Sequence, residues 1–150
     1  METSDGSWTV GGDVDRVTAA LRVGAPDLDP DAVTRQLGVP PTFAARRGDT
    51  RPSKAGTITQ HVGVWILEAP RSTEWVLRDA ITALLDRLPT ATSVWDGIAQ
   101  SATIDMFCGL HLDDFNRGLD LPAQLLARLA ERHIGLSLDI YCEGSDEADA

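Results

Sequence analysis

Polar side chains able to do acid–base or ligand chemistry alternate with apolar ones in two strand-like segments. The first segment carries Asp105 and His111, and the second carries Asp139 and Tyr141. Because successive side chains of a strand point to opposite faces, these four residues lie opposite the main apolar row of each segment. If the two strands are neighbours, a carboxylate, an imidazole and a phenol would meet with Trp65 on a sheet face that helices leave uncovered. The same alternation is typical of any wetted sheet face, so no residue is assigned a catalytic role.

A second candidate site is the segment 46–54, which gathers four basic residues and one acid, a local charge of +3, in an otherwise acidic chain. The basic residues are Arg46, Arg47, Arg51 and Lys54. Arginines beside a glycine-containing turn can bind a carboxylate or phosphate through bidentate contacts. The alternative is a solvated loop whose arginines pair with nearby acids. We predict that Arg-Gly-Asp at 47–49 is a turn and not an adhesion signal, since Gly48 permits positive φ and Asp49 can accept a nearby backbone N–H.

The composition sets limits on partners and location. A net charge of -10 over 150 residues argues against binding to nucleic acid or anionic lipid, because both require Lys and Arg to neutralise phosphates. The same charge permits binding to a basic protein partner. No apolar run approaches the roughly 20 residues that span a bilayer, and the first residues lack the pattern of a signal peptide. We therefore expect a cytoplasmic protein with no membrane association.

Metal, cofactor and thiol chemistry find no support in the residue spacing. The three histidines are scattered, and the segment HLDD at 111–114 has no familiar zinc or calcium spacing. No glycine-rich phosphate loop or nucleophile elbow is present. Cys108 and Cys142 fall at apolar positions of candidate strands, where free cysteine behaves as a small hydrophobic residue. No metal, cofactor or structural disulfide is expected.

The elements that must position the candidate residues begin with a strand and a short helix. Segment 15–23 alternates, with an apolar row of Val17, Ala19, Leu21 and Val23. A helix is predicted over 30–37, with Asp29 as N-cap, Pro30 in the first turn and Gly38 as the left-handed C-terminal residue.

The second half of the chain alternates strands and helices in the same way. Segment 57–69 is apolar on both faces, which predicts a central strand. Segment 73–88 has one helical stripe of Leu77, Ile81, Leu84, Leu85 and Leu88, and residues 94–101 show no clear period. A strand is predicted at 104–112, a helix from Pro122 up to Gly135, and a last strand at 136–142.

These elements predict an α+β fold. We expect a ferredoxin-like-type sheet of about four or more strands built from two β-α-β units, with about three helices packed mainly on one face. The predicted organisation is an N-terminal extension at 1–13, a single domain at 14–142, and an acidic disordered tail at 143–150 that has no apolar anchor.

Several segments resemble the domain of unknown function 4279 family of bacterial proteins. They are PDLDPDAVTRQLGVPPT, GVWILEA and LDLPAQLLARLAERHIGLSLDIYC, in order over about residues 14–142. The most specific parts are the Leu-Gly-x-Pro-Pro-Thr run followed by a basic residue, Gly and Asp, and the strand ending Leu-Asp-Ile-Tyr. One departure is Leu121 before Pro122, where a capping hydroxyl or carboxylate is usual. The resemblance implies a compact α+β domain and transfers no activity or catalytic residue.

The sequence favours a small, non-catalytic interaction module. Within that class, the acidic chain is expected to neutralise a basic protein partner in the manner of an immunity protein. The alternative is an enzyme or a small anionic-ligand-binding protein that uses the exposed sheet face and the 46–54 loop. A homodimer built on the open sheet face is a further expectation.

Overall fold

The computed structural model describes residues 11–71 and 76–142 and shows an α+β fold over them. Over these residues the elements in chain order are β1 (Arg16–Ala25), α1 (Pro30–Leu37), β2 (Phe43–Ala45), β3 (Thr50–Ser53), β4 (Gly56–Thr59), β5 (Gly63–Glu68), α2 (Leu77–Asp86), α3 (Thr92–Ala99), β6 (Thr103–Leu112), α4 (Ala123–Glu131) and β7 (Ile134–Cys142). None of the helices in these ranges has the length and apolar content to cross a membrane. The predicted tail at 143–150 and most of the predicted N-terminal extension lie outside the described residues.

The main sheet is mixed, with strand order β2-β5-β1-β6-β7, and β3 pairs with β4 in a separate hairpin. β1 is antiparallel to both of its neighbours, whereas β6 and β7 are parallel and are joined through α4. The predicted α+β class is confirmed. The ferredoxin-like detail is not confirmed, because the sheet has a fifth strand, β7, which lies parallel to β6 at one edge, and β3 and β4 form a separate hairpin.

One hydrophobic core lies between the helices and one face of the sheet. In β1 the predicted apolar row of Val17, Ala19, Leu21 and Val23 is buried, and the alternate residues are more exposed. The other strands bury Trp65, Leu67, Ile104, Met106, Cys108, Leu110 and Ile134 against residues of α1 to α4 in the same cluster. The opposite face of the sheet is therefore left uncovered by the described helices.

Helix α1 has the predicted bounds because its local signals agree. The Asp29 carboxylate accepts a hydrogen bond from the Asp31 backbone N–H at 3.1 Å, and Pro30 occupies the first turn. Gly38 adopts φ 74°, and its N–H donates to the Thr34 carbonyl, which ends the helix. Leu28 packs against the same core in which Val33 is buried, and the two residues have the spacing of a hydrophobic staple.

Two predicted segments are divided differently in the structure. The strand predicted at 57–69 is split, because β4 pairs with β3 and β5 restarts at Gly63 in the main sheet. Helix α3 was not predicted, since its eight residues bury only Trp95 and Ile98 and show too few turns for a helical period. The helix predicted at 73–88 spans Leu77–Asp86 within the described residues.

The last helix and strand also differ at their junction. Helix α4 begins at Ala123, with Pro122 at the N-cap position and no side-chain cap. This agrees with the presence of Leu121 before Pro122 in place of the capping residue that is usual in the family. β7 begins at Ile134, two residues before the predicted start, because His133 at φ 56° reverses the chain directly after the helix.

Candidate functional site

The uncovered side of the main sheet, called the open face below, carries side chains in rows that cross the strands. These rows follow from the strand register, because directly paired residues share a face. One row contains Phe43, Ile66, Arg22 and Asp105, and the next contains Glu68, Ala20, Phe107 and Ser137. Beyond them lie a row of Thr18, Gly109 and Asp139 and a row of Arg16, His111 and Tyr141.

Asp105 is the hydrogen-bonding centre of the open face. Arg22 on β1 donates to both of its carboxylate oxygens, from Nε at 2.8 Å and from Nη2 at 2.5 Å, and the Ser137 hydroxyl donates at 2.8 Å. Burial alone would raise the pKa of Asp105, but the hydrogen bonds from Arg22 and Ser137 and the charge of Arg22 outweigh it and lower that pKa. The carboxylate is therefore held ionised and fully engaged, which does not suit a general base.

Two arginines lie over aromatic rings on or beside this face. The Arg22 guanidinium carbon is 4.2 Å from the centre of the Phe107 ring, and that of Arg51 is 5.4 Å from the Phe43 ring. Both distances are within the range of cation–π attraction. An open depression of about 260 Å³ lies in the same region. Its lining consists of Arg22, Val23, Gly24, Val64, Ile66, Thr103 and Asp105.

A second cluster lies at the far end of β6 and β7. The rings of His111 and Tyr141 stack with centroids 4.8 Å apart and an interplanar angle of 12°, and the Tyr141 hydroxyl donates to the Asp139 carboxylate. That hydrogen bond, together with the negative charge of Asp139, raises the pKa of Tyr141. The phenol thus remains protonated at neutral pH.

The four polar candidates do not converge on one point. β6 and β7 are neighbours, which was the condition for a shared site, and they bring His111, Asp139 and Tyr141 together. Asp105, however, is six residues before His111 on the same strand, about 20 Å away at the rise of a β-strand. The expectation of one site containing all four is wrong, because the register divides them between two clusters.

Trp65 lies on the other side of the sheet from the place expected for it. Its side chain is fully buried beneath the helices, and its indole Nε1 donates to the Thr34 hydroxyl of α1 at 3.0 Å. Buried indole N–H groups need an acceptor, and Thr34 supplies it. Trp65 is therefore a core residue, and Ile66 occupies the open face at this point of β5.

The basic loop is held against the start of α1. Arg46 pairs with Asp29 at 2.7 Å and with Asp31 at 2.9 Å, and Arg47 pairs with Asp27 at 2.7 Å. These contacts follow the solvated-loop alternative for Arg46 and Arg47. Their carboxylate partners occupy positions that an anionic ligand would need.

The Arg-Gly-Asp segment is a turn, as predicted. Gly48 has φ 92°, and the backbone N–H of residue 49 donates to the Arg46 carbonyl at 3.1 Å. The Asp49 carboxylate accepts the Arg46 backbone N–H at 2.8 Å. Of the loop arginines chosen from the sequence, Arg51 is the one that stacks on a residue of the open face.

Thiol and metal chemistry have no assembled site in the described ranges. Both cysteines are free, and Cys142 is exposed. Cys108 is buried, and burial with the nearby charge of Asp105 raises its pKa to about 12, so the thiol stays protonated. Residues 11–71 and 76–142 contain no group of three or more His, Cys, Asp or Glu side chains placed to hold a metal ion.

Sequence reasoning missed Arg22, Phe43 and Ile66 as members of the site. Arg22 lies opposite the apolar row of its strand, but its partner Asp105 is 83 residues away in the chain. No local pattern reports that pairing. Once the register is known, the shared row identifies all three residues.

Comparison with known proteins gives a family for the chain. Residues 15–143 match the family model described as domain of unknown function DUF4279. Searches of curated proteins and of solved structures gave no match. Since the family model spans most of the chain, this protein belongs to the DUF4279 family.

Proposed function

We propose that this chain is a non-catalytic protein-interaction module that binds its partner on the open face, around Phe43, Ile66, Arg22 and Phe107. The observation that supports this proposal is the pair of arginines stacked on aromatic rings beside an apolar depression. Arginine and aromatic residues are enriched at interaction hot spots, where a rigid apolar anchor is combined with directed hydrogen-bond donors.

Rigidity gives the open face a further advantage as a binding surface. The bidentate contact with Asp105 and the ring of Phe107 fix the Arg22 side chain before any partner arrives. An immobilised side chain loses less conformational entropy on binding. The Phe107 ring is partly buried, with Ala20 beside it in the same row and the Arg22 guanidinium over it.

Catalysis and anion binding are less well supported by the geometry. The acid–base candidates are divided between two clusters, and Asp105 is saturated by Arg22 and Ser137. Arg46 and Arg47 already contact carboxylates of the chain. A small anion would have to displace these internal partners before it could bind.

The net negative charge of the chain favours a basic partner, and an acidic immunity protein that neutralises a basic toxin would have such a partner. Residues 11–71 and 76–142 hold all 13 basic residues but 16 acidic ones, a net charge of -3. The remaining -7 of the total -10 belongs to residues 1–10, 72–75 and 143–150. The open face itself mixes both signs, so we assign the apolar contacts to that face and the long-range steering to the rest of the chain.

Co-purification with matched variants tests the proposal. The tagged protein is incubated with an extract of its source organism at low and at high ionic strength, beside Phe43→Ala/Phe107→Ala and the control Phe115→Ala. Phe115 is 90% exposed and lies on the loop after β6. We expect a basic partner that binds the wild type and the control, with affinity reduced at least about tenfold in the double variant.

Two results would contradict the proposal. One is recovery of no specific partner at low ionic strength. The other is a partner that binds the Phe43→Ala/Phe107→Ala variant as tightly as the wild type, which would place the binding surface elsewhere. Urea unfolding of the three proteins separates loss of binding from loss of folding.

A further inference from the structure

The outer edge of β7 lacks the features that usually protect an edge strand. Over the described residues, β7 pairs with β6 on one side and with no strand on the other. Its nine residues contain no Lys, Arg or Pro, Asp139 is their single charged side chain, and the register with β6 continues from Ile134 to Cys142 without a bulge. Natural edge strands are usually short or carry such residues, because an open edge pairs readily with another chain. The opposite edge strand, β2, has only three residues.

An apolar row on β7 is exposed at this edge. Leu136, Leu138 and Ile140 have relative exposures of 38%, 45% and 61%. Their neighbours in register on β6 are Met106, Cys108 and Leu110, which are buried beneath the helices. The row thus continues the core face of the sheet beyond the cover that the helices provide, and apolar surface of this kind usually marks an interface.

We propose that β7 pairs with β7 of a second copy of this chain, in antiparallel orientation and centred on Leu138. Leu138 is the middle residue of the strand, so this register aligns all nine residues. On the core side, Leu138 would face Leu138 and Leu136 would face Ile140. On the open-face side, Ser137 would face Asp139, so no two carboxylates would be directly opposed. The strand is therefore complementary to itself, as a twofold interface requires.

This dimer differs from one built on the open face. Pairing at the edges would join the two five-stranded sheets into one, with both open faces on the same side. The surface around Phe107 would remain free in each copy. The inference therefore stands independently of the proposed function, and together the two describe a bivalent binder.

Mass measurement is the first test. Sedimentation velocity and light scattering over a range of concentrations should give a species of twice the 16.1 kDa chain mass. Leu138→Lys should raise the dissociation constant of the dimer at least tenfold, because it places two like charges at the twofold axis. Ile58→Lys on the β3–β4 hairpin, a site of similar exposure, should leave the dimer unchanged.

Disulfide trapping tests the register and does not depend on the folding of the lysine variant. In a Cys142→Ser background, Leu138→Cys places two thiols at directly opposed positions, about 5 Å apart between Cα atoms, within reach of a disulfide. Leu136→Cys is the matched control, since residue 136 and its copy would be offset by four residues, about 13 Å. Oxidation should therefore yield a covalent dimer from the first variant only.

Three outcomes would overturn the inference. The wild type could sediment as a monomer at every concentration tested. A dimer could persist unchanged in a folded Leu138→Lys variant, which would place the interface elsewhere. Finally, the Leu138→Cys variant could give no more covalent dimer than the Leu136→Cys control. Binding of a different protein to the edge of β7 would not rescue the inference in that case.

Discussion

Replacing Asp105 by Asn removes the charge that holds Arg22 on the open face, and its cost can be worked out from the geometry. Hydrogen bonds to charged groups contribute about 1.5–3 kcal/mol when buried, and exposed ion pairs about 0.2–1 kcal/mol. The Asp105 side chain is 18% exposed, but that of Arg22 is 40% exposed, so solvent screens the pair. We expect a coupling free energy of about 1 kcal/mol between the two residues.

A double-mutant cycle measures this coupling directly. The four proteins are the wild type, Arg22→Met, Asp105→Asn and the double variant, each unfolded in urea to obtain its free energy of unfolding. The more exposed pair of Arg128 and Asp86, joined by one contact at 2.9 Å, serves as the control. Its coupling should be no more than about 0.5 kcal/mol.

The pH dependence of the cycle gives an independent check. Because the pKa of Asp105 is lowered in the folded state, its stabilising effect is present above the pKa of the unfolded carboxyl group and is lost as pH falls through the folded value. The wild type and Asp105→Asn should therefore differ in stability at neutral pH, and this difference should shrink as pH falls below about 4, the usual pKa of the unfolded carboxyl group. A coupling below about 0.3 kcal/mol at neutral pH, or one that does not change with pH, would refute the reasoning.

Three further predictions concern packing and thiol reactivity. Gly63→Ala should lower the free energy of unfolding by about 1–3 kcal/mol, because the added Cβ would lie 2.7–2.9 Å from atoms of Leu28. Gly97→Ala, at a position in α3 with open space around it, should raise the free energy of unfolding by about 0.5–1 kcal/mol. Urea unfolding measures both changes, and a result with the same sign for both would contradict this. Trp65→Phe should cost about 1–2 kcal/mol in the same assay, since it removes a buried indole hydrogen bond, and a cost below about 0.5 kcal/mol would count against that role. In a thiol-labelling assay at neutral pH, the exposed Cys142 should react in the native state and Cys108 only after unfolding, because burial raises the Cys108 pKa to about 12. Rapid labelling of both thiols in the native state would contradict this assignment.

Features set by neighbours in the chain could be predicted from the sequence. The cap at Asp29, the end at Gly38 and the turn at Gly48 depend on residues a few positions apart, and each was found where the pattern indicated. The alternation of β1 likewise reports its buried side, because a single helix layer covers one face of the strand along its length. Local physics is sufficient for these elements.

The candidate site depends instead on which of two apolar faces is covered. In β5, Trp65 and Leu67 form one row, and Val64 and Ile66 form the other, so periodicity alone cannot identify the core side. The indole decides the matter through a hydrogen bond to α1 that no strand pattern contains. Because side chains alternate with period two, assigning the wrong face of β5 to the core replaces Ile66 by Trp65 on the open face. The neighbour on β1 then changes as well, because Ile66 is paired with Arg22 and Trp65 with Val23. Identifying a binding surface on such a strand therefore requires the packing of the helices as well as the pattern of the strand.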